Sequence, residues 1–387
     1  MNTIQLENTY QLPTYEKFPV VITHGKGAYV WSDKNDKYLD FYGGHAVVLT
    51  GHSHPKVIDA VSQQMKKLIF YSNVVYSNER AKAAQKLVKL AGKPFSSVFF
   101  CNSGTEANET ALKLAKKYTG KDEIISFEGS FHGRTIGALS VCGSEKYKKH
   151  VGSFVPGVYF AEFGNIDSVK KLISDKTAAI ILEPIQSVAG INMASTDFYI
   201  QLTKLAKAKG IVLIFDEVQT GLGRTGKMFF GEHFSIKPDL ISLAKGLASG
   251  LPAGAVLVSE KIAKVVELGD QGCTFGGGPV ICAAMIATLN VITDNKLAQN
   301  AEKFGKKLKQ QIMHMPHVID VNGKGLLLGV KLDILAKAVK MKLFEKHILT
   351  GTSDNPNVLR IMPPLIISEK DITLFLNNFA EVLEGNI

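Results

Sequence analysis

From about residue 96 onward, short apolar runs alternate with amphipathic stretches. SSVFF (96–100), EIISF (123–127), AAIIL (178–182), IVLIF (211–215), DLISL (239–243) and AVLV (255–258) have strand length and strand composition. Helical spacing predicts helices over 56–68, 79–91, 106–118, 166–173 and 196–209, and a long one begins near 280. Apolar strands joined by helical crossovers predict an α/β fold with a mainly parallel sheet covered by helices on both faces. Residues 1–50 read as an extended lead-in followed by short strands. GKGAYVWSDKNDKYLDFYGG reads as a hairpin that turns between Ser32 and Lys37. The segment 296–387 carries its own strand and helix signals. The expected organisation is a large domain over 51–295 and a smaller α+β domain formed by both termini, 1–50 and 296–387.

The chain has 387 residues, 45% of them hydrophobic and 21% charged. That apolar content is enough for a large core and excludes a mostly disordered chain. No uncharged apolar run approaches the ~18 residues of a membrane span, and the first residues hold no apolar signal core. The expectation is a soluble cytoplasmic protein without a membrane partner. The four cysteines show neither zinc nor redox spacing, so no metal is expected. The formal charge of +10 raises the question of nucleic acid. The basic residues are spread along helices with no basic tail, which argues against it. Only four of the 45 basic residues are arginine: Arg80, Arg134, Arg224 and Arg360. Arginine's planar fork grips a carboxylate at two points where lysine offers a point charge, so each of the four is a candidate.

In sheets of this kind ligands sit beyond the carboxyl ends of the strands, so the residues after each strand carry the chemistry. After 96–100 comes Cys101-Asn102-Ser103-Gly104-Thr105, opening a helix. Small residues there present free backbone N–H groups to an anion such as phosphate; a plain capped helix is the alternative. After 211–215 come Asp216 and Glu217, suited to a metal, a cofactor counter-ion or a solvated edge. After 239–243 comes Lys245, flanked by small and apolar residues; desolvation there lowers an amine's pKa and makes it a nucleophile toward carbonyls. The GLGRTGKM stretch imitates a nucleotide loop, but Met228 stands where a hydroxyl is needed and no amphipathic helix follows. An anion cradle, a carboxylate and a desolvated lysine, each after a different strand, are the parts pyridoxal 5'-phosphate requires: a phosphate seat, a covalent anchor and an acid facing its ring nitrogen.

Nearly end to end, from Tyr15 to about Leu365, the chain resembles the class III aminotransferases, fold type I enzymes of pyridoxal 5'-phosphate, in their acetylornithine/ornithine group. The motifs, in order, are GKGAYVWSDKNDKYLDF, GHSHP, CNSGTEANETALKLAKKY, FHGRT, LEPIQ, FDEVQTGLGRTG, PDLISLAKGL, TFGGGP and LRIMPPL. The resemblance implies that Lys245 bonds covalently to the cofactor and that Asp216 pairs with its ring nitrogen. It implies that Val218 and Phe131 sandwich the ring, Gln219 reaches its phenolic oxygen, and Glu183 lies beside it. Ser103, Gly104 and Thr105 would take the phosphate. Thr274 would reach the phosphate in a neighbouring subunit, which implies a homodimer with active sites at the interface. Arg134 and Arg360 would bind substrate carboxylates, and Arg224 would be structural; Arg80 has no counterpart role.

The chain departs from the resemblance at several points. Relatives read E-P-I-Q-G-E, whereas this chain has Glu183-Pro184-Ile185-Gln186-Ser187-Val188. Val188 replaces the glutamate that masks the arginine matching Arg360. Either Arg360 stays free, or another carboxylate substitutes, or no mask is needed. Cys273 stands where a serine or threonine is common at the substrate. His45 falls at a variable pocket position, either to bond an acyl or carboxylate group or as a structural histidine. Tyr15 aligns with a substrate-contacting tyrosine. The implied reaction is amino transfer from an N-acylornithine, acetyl or succinyl, to 2-oxoglutarate, in arginine biosynthesis. Ornithine, lysine-type donors and 4-aminobutyrate are alternatives, as are an aminomutase and a basic non-enzymatic binding protein.

Overall fold

A computed structural model describes residues 1–385. Its centre is a seven-stranded sheet in the order Phe95–Cys101, Gly254–Ser259, Leu240–Leu243, Val212–Asp216, Thr177–Leu182, Glu123–Phe127, Val158–Ala161. Three central strands are buried at every position, because helices cover both faces. The helices begin where the chain supplies caps: Ser103 accepts from the Glu106 N–H, Ser77 from Arg80 and Ser195 from Phe198, while Pro55 opens Pro55–Lys67.

The expected strands and helices appear within a residue or two of their places. Four features differ from expectation. Gly254–Ser259 runs antiparallel to both neighbours, pairing Ala255 with Leu243 and Gly254 with Cys101. A uniformly apolar run reads the same in either direction, so the pattern carried no polarity. Val158–Ala161 is a strand the pattern did not predict; as an edge strand it is only partly buried. Thr3–Tyr10, within the expected extended lead-in, is a helix with a capping box between Asn2 and Gln5 and no buried residue. Asp216 belongs to its strand as the last residue rather than following it.

The hairpin forms as expected, with Tyr29–Ser32 pairing Lys37–Asp40. A C-terminal strand, Ile348–Leu349, then joins Lys37–Asp40 in parallel. A second sheet combines Val318–Lys324, Leu327–Leu332, Val358–Ile361 and Gly351–Thr352. Arg224 bridges regions: fully buried, it donates to the Leu326 and Pro363 carbonyls. Burial pushes its guanidinium down to about 9. Arg80 is likewise structural, donating to the carbonyls of Gly277 and Val75. Among the described residues, no single helix is long and apolar enough to cross a membrane, and no group of side chains is arranged to hold a metal ion.

Candidate active site

At the carboxyl ends of the parallel strands lies a cavity of about 350 Å³. Its lining joins Ser103, Gly104 and Thr105 with Phe131, Glu183, Asp216, Val218, Gln219 and Lys245. Nine of the sequence-derived candidates, drawn from five separate segments, thus share one cavity. Lys245 opens a 3-10 turn directly after its strand, with φ of +43°. A non-glycine residue in that region stores strain, which a functional position can carry. Burial holds the Lys245 amine below its ordinary value, against the opposing pull of Asp216 and Glu183.

Asp216 is fixed by three donors. Its Oδ2 accepts from Asn108 Nδ2 at 2.7 Å and from His132 Nδ1 at 2.8 Å, and its Oδ1 accepts from the Val218 N–H at 3.1 Å. Sequence reasoning missed Asn108 and His132. Both lay inside quoted motifs, but their roles come from a packing partner far along the chain. The neighbouring Glu217 points elsewhere: its two oxygens accept from the Phe230 N–H at 3.0 and 2.8 Å. The acidic pair therefore divides into one group for the cavity and one for the scaffold. Glu183 accepts from the Phe131 N–H at 2.8 Å, and burial pushes its carboxyl up to about 7.

The Ser103–Thr105 loop opens the 16-residue helix Gly104–Thr119, so unpaired N–H groups and the positive dipole end face the cavity. A side chain at Gly104 would bring its Cβ within 3.0 Å of Val218, and one at Gly254 within 2.4 Å of the Ser103 carbonyl oxygen. Gln219 Oε1 accepts from the Ser187 hydroxyl at 3.0 Å, which leaves its amide N–H groups for the cavity.

The remaining candidates sit outside this lining. Arg360 is 7% exposed; its Nε donates to the Thr352 carbonyl at 2.6 Å, and its terminal nitrogens reach Ser187 Oγ and Tyr42 Oη at 3.3 Å each. Every one of these partners is neutral. Arg134 is exposed, with its guanidinium 4.3 Å from the centre of the Tyr147 ring. Neither arginine forms an ion pair among the described residues. His45, at φ +65°, bonds Tyr42 Oη, and desolvation, then Arg360 and Lys245, push it down to about 4. Cys273 packs against the anion loop, its Sγ 3.1 Å from Asn102 Nδ2, rather than along the cavity. Thr274 is exposed, and Tyr15 is 72% exposed on the N-terminal segment. The structure does not bring these last three into this chain's cavity.

Residues 10–383 match the family model described as aminotransferase class-III. The chain belongs to the class-III aminotransferases. It is 42% identical to an acetylornithine aminotransferase of Methanocaldococcus jannaschii, covering 98% of each chain. It is 38% identical to an ornithine aminotransferase of Staphylococcus saprophyticus, covering 97% of each. Among solved structures it resembles the Toxoplasma gondii ornithine aminotransferase, with a TM-score of 0.94 and 30% identity, over 98% of this chain and 94% of that one. It also resembles the acetylornithine aminotransferase of Elizabethkingia anophelis, with a TM-score of 0.87 and 31% identity, over 98% and 97%. This class-III aminotransferase is a pyridoxal 5'-phosphate enzyme. The residues present fit that cofactor: the cavity holds an anion seat, an apolar slot between Phe131 and Val218, a fixed carboxylate and a desolvated amine.

Proposed function

We propose that this enzyme transfers the terminal amino group of an N-acylornithine, acetyl or succinyl, to 2-oxoglutarate, giving the semialdehyde and glutamate. The observation that carries the reading is the convergence of Lys245, Asp216 and the Ser103–Thr105 loop on one cavity, with two guanidiniums nearby that form no ion pair among the described residues. The names of the relatives support the donor. The reading places the enzyme in arginine formation in the cytoplasm.

Lys245 would anchor the cofactor, and its amine would move a proton to and from the carbon that bears the substrate nitrogen. When bound, the cofactor would supply an electron sink for that carbon. Asp216 would pair with the ring nitrogen, and Asn108, His132 and the Val218 N–H keep its carboxyl group from turning away. Ser103, Gly104 and Thr105 would seat the phosphate, Phe131 and Val218 would clamp the ring, Gln219 would reach its phenolic oxygen, and Glu183 would lie beside it. Arg134 and Arg360 would take substrate carboxylates, with His45 beside Arg360 through Tyr42.

The reading includes a homodimer in which Thr274, beside Cys273, completes the partner's phosphate site. Supporting it is an exposed apolar surface of Ile69, Val74, Tyr76 and Phe275. Asn73 binds the two segments of that surface together by donating to the Cys273 and Gly276 carbonyls. A division into a large domain at 51–295 and a smaller one from 1–50 and 296–387 belongs to the same reading.

The deciding experiment follows loss of the lysine-bound cofactor's visible absorbance with acetylornithine, succinylornithine, ornithine, lysine and 4-aminobutyrate side by side. An acylornithine is expected to react fastest. A tenfold preference for free ornithine, about 1.4 kcal/mol of transition-state binding, would overturn the donor assignment.

A further inference from the structure

A transaminase admits two substrates in turn to one cavity. Here an acetylornithine donor brings one carboxylate and the acceptor two. Two guanidiniums with no acid to answer them would favour the dicarboxylate and would leave one cation unpaired whenever that donor is bound. Position 188, where an acid would answer this, holds valine.

A different acid occupies this part of the molecule. The Val188 carbonyl accepts the N–H of Asp354 at 2.8 Å. The Asp354 carboxylate is largely shielded, with 24% of its side chain exposed. Its Oδ1 accepts from Tyr147 Oη and from Lys146 Nζ, both at 2.9 Å, and its Oδ2 accepts from Tyr147 Oη at 3.1 Å. Lys146 is itself 67% exposed, so Tyr147 is the shielded partner. The Tyr147 ring carries Arg134 on its face and meets Phe131 edge-on with centroids 5.2 Å apart. On the other side, Asp354 sits two residues beyond Thr352, whose carbonyl holds Arg360. The turn between them is fixed by Ser353 Oγ donating to the Asn355 carbonyl and by the Asn357 N–H donating to Asn355 Oδ1.

We propose that Asp354 is the positioning residue that sets carboxylate selectivity here, holding Arg134 in place through Tyr147 and supplying the counter-charge that position 188 lacks. This rests on the reading that Arg134 and Arg360 bind substrate carboxylates. Burial and the bond to Asp354 push the Tyr147 hydroxyl up to about 12, while Arg134 and Arg360 pull the other way. The hydroxyl therefore lies in the field of all three charges and stays a donor to Asp354 at neutral pH. An acid so placed weakens the hold on a second substrate carboxylate and relieves the unpaired cation when a donor with a single carboxylate is bound.

The test uses the holoenzyme and two unreactive acids, glutarate with two carboxylates and butyrate with one, titrated by calorimetry. Asp354→Asn is expected to bind glutarate on the order of fivefold more tightly while butyrate, which leaves one cation unpaired, binds no more tightly than to the wild type. The KM for acetylornithine should rise and Asp354→Glu should restore the wild-type ratio. Tyr147→Phe keeps the ring and loses the hydroxyl, and should shift the glutarate-to-butyrate ratio in the same direction. Unchanged ratios in both variants, with cofactor absorbance and Tm preserved, would overturn the proposal. So would an equal loss for both acids, the mark of a purely structural role. If Arg360→Ala leaves glutarate affinity at its wild-type value, the carboxylate reading itself fails and the proposal falls with it.

Discussion

At the level of single side chains, the site is a set of divided roles. Lys245→Ala is expected to abolish the visible absorbance of the lysine-bound cofactor and to cut turnover by on the order of 10³ or more; a coloured, active variant would remove Lys245 from the chemistry. Asp216→Asn should retain the cofactor yet lose about 10²–10³ in kcat, measured in single-turnover absorbance. Glu217 gives a pH test. Burial raises it from an ordinary 4.5 to about 8. Between those values the folded chain keeps a proton that the unfolded chain has released, so stability falls as pH rises through that window and is level above it. Glu217→Gln should flatten that portion of the curve, by on the order of a few kcal/mol, in Tm measured at pH 5 and pH 8.5. Parallel curves for the variant and wild type would show that Glu217 is not the group responsible. The Asp216-Glu217 pair was visible in the sequence as chemistry. Its division was not, because the Phe230 N–H and the His132 ring reach it only after folding.

At the level of elements, most of the architecture was readable because caps and periodicity agreed. Ser77, Ser103 and Ser195 mark helix starts that the apolar spacing already predicts. Where one signal was missing, reading failed. Thr3–Tyr10 buries no residue, so it carries no apolar stripe, and Val158–Ala161 lies at the sheet edge where burial is partial. A close element contact beside the cavity is also hidden from the sequence. Gly254 opens its strand so near the Ser103 carbonyl that a methyl group would displace the anion loop. Gly254→Ala should therefore weaken the cofactor's affinity about tenfold or more, together with a lower Tm. Equilibrium dialysis against pyridoxal 5'-phosphate would measure this, and unchanged affinity would mean that the loop tolerates the shift.

For the whole molecule, the exposed apolar surface around Tyr76 and Phe275 is the feature that a free monomer does not explain. A double variant, Tyr76→Glu with Phe275→Glu, is expected to sediment as a monomer and to lose cofactor affinity, since Thr274 would no longer reach a partner. A dimer that survives both charges would place the contact elsewhere. Fold class and family were legible at this scale because motifs recur in order along nearly the whole chain. Placement at the rim was less so: Cys273, Thr274 and Tyr15 carry polar groups that the lone chain leaves beside or outside its cavity.

The antiparallel strand Gly254–Ser259 has one more implication. The backbone doubles back soon after Lys245 and returns to pair Gly254 with Cys101 at the start of the anion loop, so a single reversal, not the width of the sheet, separates the amine from that loop. A protease nick in the exposed bend at Gly250 should therefore release the coenzyme while the central sheet survives, so that loss of colour precedes loss of circular dichroism.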